Sequence, residues 1–203
     1  MTTYPTDALL LIDLQPDFMP GGALAVAGGD EIIPLVNQLA NEFEHVILTQ
    51  DWHPQKHVSF ASTHGKNPYE TVEVSYGAQA LWPDHCVQQT SGAAIHPGID
   101  IPHVELILRK GFRREIDSYS AFLENDHVTP TGLAGYLRER GLKRLFLAGL
   151  AYDFCVRFSA EDGTQLGFEC LVLEDACRAV GLPGSVEATN QAFAALNITR
   201  LKS

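Results

Sequence analysis

The chain has 203 residues, 45% of them hydrophobic and 19% charged, with 14 Lys and Arg against 25 Asp and Glu for a formal charge of −11. This is the balance of a folded domain, long enough to bury a core without disulfide staples. The acid excess argues against a nucleic-acid surface, which needs clustered Lys and Arg, and the longest apolar run, Ala8 to Ile12, is too short to span a bilayer.

Ala8 to Leu14 is nearly continuous in large aliphatics and predicts a strand buried on both faces. The glycine-rich stretch from Pro20 to Gly29 lacks the spacing and lysine of a phosphate loop and reads as a turn-rich hairpin. Asp30 is placed to cap a helix carrying Ile32, Val36, Leu39 and Phe43 at helical spacing. His45 to Thr49 is a second strand, and His103 to Leu108 a third. A helix over Thr131 to Arg140 is closed by Gly141. Arg144 to Leu150 is a fourth strand, followed by a helix through about Leu166, and Glu169 to Leu173 is a fifth. Ser185 to Leu196 is the last helix, and Ile198 to Leu201 a short closing strand. Strands alternating with helices predict an α/β fold: a doubly wound, mostly parallel sheet with helices on both faces. One domain over residues 1–203 is expected. Its long irregular region, at about 50–102, carries five of the eight histidines, and a loop of that length usually has a function.

Ligands of doubly wound folds bind at the carboxyl ends of the strands. Asp13, Asp51, Lys110 and Cys155 all fall there. Cys155 follows the fourth strand where a helix should begin, and a helix N-terminus lowers a thiol's pKa and can hold an oxyanion. A small buried hydrophobe is the plainer role for a cysteine. Asp13, flanked by Ile12 and Leu14, has its pKa raised by burial into a range useful for proton exchange with a thiol. Lys110 ends a buried strand and needs a counter-ion, for which Asp13 is the obvious choice. Asp51 and His53, two apart on extended chain, project to one side as candidate metal ligands, with His57 and His85 as further donors. Phe18, Trp82 and Tyr119 are aromatic enough to wall a pocket for a flat ring, or simply to fill the core. Cys170 reads as core and Cys177 as a loop thiol. Four irregularly spaced cysteines make no disulfide framework and fit reduced thiols in the cytoplasm, and Met1 to Pro5 show no secretory signal.

Seven segments in order carry a family resemblance: Leu11-Ile-Asp-Leu-Gln-Pro-Asp-Phe18, Gly21-Gly-Ala-Leu-Ala-Val26, Gln50-Asp-Trp-His-Pro54, Trp82-Pro-Asp-His-Cys86, Lys110-Gly111, Asp117-Ser-Tyr-Ser-Ala-Phe122 and Gly149-Leu-Ala-Tyr-Asp-Phe-Cys155. Together they resemble bacterial nicotinamidases and pyrazinamidases of the isochorismatase-like cysteine hydrolases. The resemblance implies an Asp13–Lys110–Cys155 triad, a ring pocket of Phe18, Trp82 and Tyr119, and an oxyanion site from the backbone N–H groups of Ala151 and Cys155. It also implies one divalent transition metal on Asp51, His53 and His85, with His57 a provisional fourth ligand; zinc is expected, with iron or manganese as alternatives. A cis peptide between Leu150 and Ala151 comes with it. Tyr152 departs from relatives that carry a small residue, often Thr, at that position.

The implied reaction is deamidation of nicotinamide (and pyrazinamide) to the acid and ammonia through a cysteine thioester, a step of NAD salvage. A small molecule is then the partner, with neither nucleic acid nor membrane; monomer and homo-oligomer stay equally open. Three other readings compete. A related cysteine hydrolase would act on another small amide or carbamoyl compound. A metallohydrolase would use water directly and survive loss of Cys155. A binding or redox module would release no ammonia.

Overall fold

The computed structural model describes residues 2–203. In chain order its elements are β1 (Asp7–Ile12), α1 (Ile33–Ala40), β2 (His45–Asp51), α2 (Ala61–His64), β3 (Thr71–Val74), β4 (Gly77–Ala80), β5 (Val104–Lys110), α3 (Leu133–Glu139), β6 (Arg144–Leu150), α4 (Arg157–Gln165), β7 (Glu169–Arg178), α5 (Ser185–Ala195) and β8 (Thr199–Leu201). Six strands make one parallel sheet in the order β5-β2-β1-β6-β7-β8. This is the predicted doubly wound α/β fold. The chain runs outward from β1 through β2 to β5, then returns to lay β6 on the other side of β1. The switch point therefore lies between β1 and β6, where such sheets bind ligands.

Strand alternation explains the two-sided core. Leu9 and Leu11 of β1 face Val36 and Leu39 of α1, while Ala8, Leu10 and Ile12 join Leu133 of α3, Ala160 of α4 and Phe193 of α5 on the opposite face. Each fully buried Leu or Ile contributes roughly 1.5–3 kcal/mol. At the switch point Gly149 pairs with Ile12, and its φ is +123°. A Cβ there would stand 2.2 Å from the Ile12 carbonyl oxygen, so only glycine permits the approach. No helix among the described residues is long and apolar enough to cross a membrane.

Several local expectations are corrected. Asp30 lies inside a 3₁₀ turn, Gly29–Ile32, and its side chain caps nothing. Residues 20–29 form successive turns; the hairpin is β3–β4, inside the stretch read as irregular. The helix expected from Thr131 begins at Leu133, after Gly132 at φ +101°. Cys177 is buried within β7, which runs ten residues and bends where its register shifts opposite Leu147 and Gly149.

Candidate active site

The sheet brings Asp13, Asp51, Lys110 and Cys155 together at its carboxyl edge. Asp13 leaves β1 at φ +49°, a left-handed conformation that Asp tolerates better than most residues. Lys110, 1% exposed, is the centre of the cluster. Its Nζ lies 2.8 Å from Asp13 Oδ2 and 3.4 Å from Cys155 Sγ, and donates to Asp51 Oδ1 at 2.7 Å and the Ser118 carbonyl at 2.9 Å. The expected Asp13 counter-ion is thus joined by a second, Asp51. One oxygen from each carboxylate and the Cys155 sulfur all lie within 4.8 Å of one another.

Burial acts on each group differently. It pushes Asp13 above the usual carboxylate range even against the Lys110 ammonium. It would raise Asp51 too, but Lys110 and His53 outweigh it and hold Asp51 well below that range. Lys110 is opposed by burial and still raised well above the ordinary lysine value by Asp13 and Asp51. Lys110 is thus an ammonium with a carboxyl group on each side. Asp13 Oδ2 stands in that ion pair but has no aligned hydrogen-bond donor, which leaves it able to take a proton.

Cys155 differs from its expectation. It occupies a π-helical turn, Tyr152–Val156, with α4 starting only at Arg157. Burial pushes its thiol well above the ordinary value; Lys110 opposes this and the nearby carboxylates add to it. Dry surroundings and two acids outweigh any helix-end effect. The resting group is a thiol, and its proton must be removed as it reacts. The peptide between Leu150 and Ala151 is cis, as the resemblance implied.

Beside Lys110, Asp51 turns its other oxygen toward two imidazoles. Asp51 Oδ2 lies 3.2 Å from His53 Nε2 and 3.6 Å from His85 Nε2. The opposite nitrogens settle the tautomers: His53 Nδ1 is 2.9 Å from the Gly111 carbonyl and His85 Nδ1 is 2.8 Å from that of Pro83. A carbonyl only accepts, so each Nδ1 carries the proton. Two Nε2 atoms and a carboxylate oxygen then converge, all buried; burial lowers His53, but Asp51 outweighs it and raises it, so the site draws positive charge. A cation satisfies such a set, and carboxylate plus imidazole suits a divalent transition metal. Gly111 completes the cradle, because a Cβ there would meet His53 Cε1 at 2.5 Å.

His57 stands apart. Its Nε2 faces the Ile116 carbonyl at 3.2 Å and its Nδ1 pairs with Ser59 Oγ at 2.7 Å, while its ring stacks on His53. With His53 and Asp117 it forms a neighbouring group, but both its nitrogens are engaged and it does not join the Asp51–His53–His85 set. Burial, followed by the adjacent His53, lowers it to about 4. His57 therefore stands beside the Asp51–His53–His85 set rather than in it.

Beside the thiol lies a mostly apolar cleft lined by Phe18, Trp82 and Tyr119 together with Phe154, Leu24 and Val180. Cys155, Ala151, Asp51 and His85 reach the same cleft. Trp82 and Phe154 meet edge to face at 4.8 Å, and the Tyr119 hydroxyl accepts the Trp82 Nε1–H at 3.0 Å, so the aromatic walls brace each other.

Sequence reasoning missed the supports. Thr49 donates to Asp13 Oδ1 at 2.6 Å and accepts the Asp13 N–H at 3.1 Å. Gln15 accepts the Asp51 N–H and donates to the Asp51 carbonyl, locking β1 to β2. A signal existed for both: each is a polar residue in an otherwise apolar segment, and each is wholly buried. Phe154 gave no signal beyond its place beside Cys155.

The chain is similar to known proteins over nearly its whole length. The family model for the isochorismatase domain matches residues 7–201. A nicotinamidase of Acinetobacter baylyi is 51% identical over 97% of this chain and 92% of its own length. The structure of an Acinetobacter baumanii nicotinamidase/pyrazinamidase superposes with a TM-score of 0.97 at 51% identity, over 99% of this chain and 98% of that one. A Pyrococcus horikoshii pyrazinamidase solved in complex with zinc superposes at 0.80 with 34% identity, covering 98% of this chain and all (100%) of that one. With the match running from the first strand of the sheet to the last, the chain belongs to the isochorismatase family.

Proposed function

We propose that this chain is a nicotinamidase that converts nicotinamide to nicotinic acid and ammonia, with pyrazinamide as a further substrate, and so serves NAD salvage. The observation that carries the reading is one thiol, one raised carboxylate and one doubly paired lysine on the floor of an aromatic cleft. The full-length similarity to nicotinamidases supports the substrate.

A flat ring enters between Phe18, Trp82, Tyr119 and Phe154 and brings its carboxamide carbon to Cys155. Asp13 takes the thiol proton as the sulfur attacks, and Lys110 keeps the charge balanced. The amides of Ala151 and Cys155 receive the oxygen as its charge develops. Asp13 returns the proton to the departing nitrogen, and ammonia leaves. Water then attacks the thioester, again giving a proton to Asp13, and the acid is released with the thiol restored. A divalent metal held by Asp51, His53 and His85 supplies a Lewis acid beside the cleft, suited to a ring nitrogen or to water. Zinc is our assignment, supported by the donor set and by the zinc-bound pyrazinamidase relative.

We read residues 1–203 as a single domain. Cytoplasmic location suits its four free cysteines, all buried, and the net charge of −11 suits a small neutral partner rather than nucleic acid. The direct test is ammonia release by metal-loaded protein from nicotinamide against a panel of aliphatic amides. Rapid release from nicotinamide and slow release from the rest is expected. Release only from another amide would discard the substrate and keep the thiol chemistry.

A further inference from the structure

Asp153 precedes Cys155 by two residues in the same π-helical turn and is 1% exposed. It belongs to neither the triad nor the metal set, and it does not line the cleft. No lysine, arginine or histidine pairs with it among the described residues. Its charge is held by three donors instead. Oδ1 accepts the Val180 N–H at 2.9 Å; Oδ2 accepts the Gly181 N–H at 2.9 Å and the Ser185 hydroxyl at 2.5 Å.

These donors share one origin. Val180 and Gly181 lie in the connection from β7 into α5 and Ser185 opens α5, and Val180 lines the same cleft as Cys155. One buried carboxylate therefore joins the turn that carries the nucleophile to the segment that bounds the ring. Resting on the reading above, we propose that Asp153 is a positioning residue. It fixes the distance between Cys155 and the Val180 wall, so that a ring seated against the wall presents its carboxamide at the thiol.

One backbone N–H on each oxygen, with the Ser185 hydroxyl shared between Oδ2 and the Leu182 carbonyl, suits a carboxylate. An amide has one accepting oxygen, and its NH₂ would face a donor N–H. Asp153→Asn keeps the shape, breaks the bond set and frees the turn from the wall. Because misplacement by about 1 Å can cost roughly 10²-fold, kcat/KM for nicotinamide is expected to fall by about that factor, with KM raised and kcat lowered. Ser185→Ala removes one donor and leaves no orphaned group, and a loss of roughly threefold to tenfold is expected.

Both variants should be compared with wild type for kcat, KM, thermal midpoint and the rate at which iodoacetamide labels Cys155, mapped by mass spectrometry. A brace without positioning function would lower the midpoint and leave kcat and KM of the folded protein unchanged. That result for Asp153→Asn overturns the proposal. If Asp153→Asn does not fold, unchanged kcat and KM in Ser185→Ala overturns it. Should wild type itself ignore nicotinamide, the substrate reading falls and labelling decides this one. Faster labelling of Cys155 in the variants supports positioning, and equal rates refute it.

Discussion

Replacing Lys110 with Met keeps the unbranched stem, one atom shorter, and removes the ammonium that separates Asp13 from Asp51. Two buried carboxylates would then stand within 4.8 Å. At an effective dielectric constant of about 20, charges at that distance repel by about 3.5 kcal/mol. Removing one partner of a buried ion pair costs about 3–5 kcal/mol, so two routes agree. Against a total stability of roughly 5–15 kcal/mol the variant folds, with a thermal midpoint lower by roughly 6–20 °C. Asp13, already raised by burial, is the group that takes up a proton in response. A carboxylate with a raised folded-state pKa is least costly in acid, and its penalty grows as pH rises through that value. Urea unfolding of both proteins should therefore show a larger stability gap at about pH 8 than at about pH 5. Protonated Asp13 is also no longer a base, so turnover should fall by roughly 10³-fold or more. A gap independent of pH, with turnover preserved, would refute the role given to Lys110.

On the alkaline side, the Lys110 ion pairs contribute fully below the ordinary lysine value of 10.5 and are lost as pH rises through the higher folded-state value. The stability gap between wild type and Lys110→Met should close in that range; a gap that stays constant would contradict the assignment. Thr49→Val removes a hydrogen bond that lowers Asp13 and leaves the Asp13 N–H unpaired. The acid limb of the kcat/KM profile should move to higher pH, with a stability loss of roughly 1–3 kcal/mol; an unmoved limb counts against Asp13 as the base. Gly111→Ala drives a methyl into the His53 ring at a φ of +62°. Metal affinity should fall by roughly 10–100-fold, as calorimetry with zinc would show, and unchanged affinity would argue against His53 as a ligand.

The sheet is legible because its strands are apolar runs bounded by turn signals, and the ends of β1, β2, β5 and β6 place Asp13, Asp51, Lys110 and Cys155 at one edge from the sequence alone. Two things stayed hidden for physical reasons. Lys110 bridging Asp13 to Asp51 depends on β5 pairing with β2 so that Lys110 and Asp51 share a register position, and no local pattern reveals which strands become neighbours. The Cys155 thiol was expected to be lowered by a helix end. Its actual state follows from burial among carboxylates contributed by β1 and β2, which outweighs the turn it sits on. His57 shows the same limit: its place in the sequence does not reveal that Ser59 and Ile116 stand at its two nitrogens.

The central claim is that Cys155 carries the amide chemistry beside a metal it does not bind. Ammonia release from nicotinamide should be followed for wild type and Cys155→Ala side by side, with metal content measured in both. Equal metal content, rapid release by wild type and none above background by the variant are expected. Sustained release by metal-loaded Cys155→Ala would contradict it and transfer the chemistry away from the thiol.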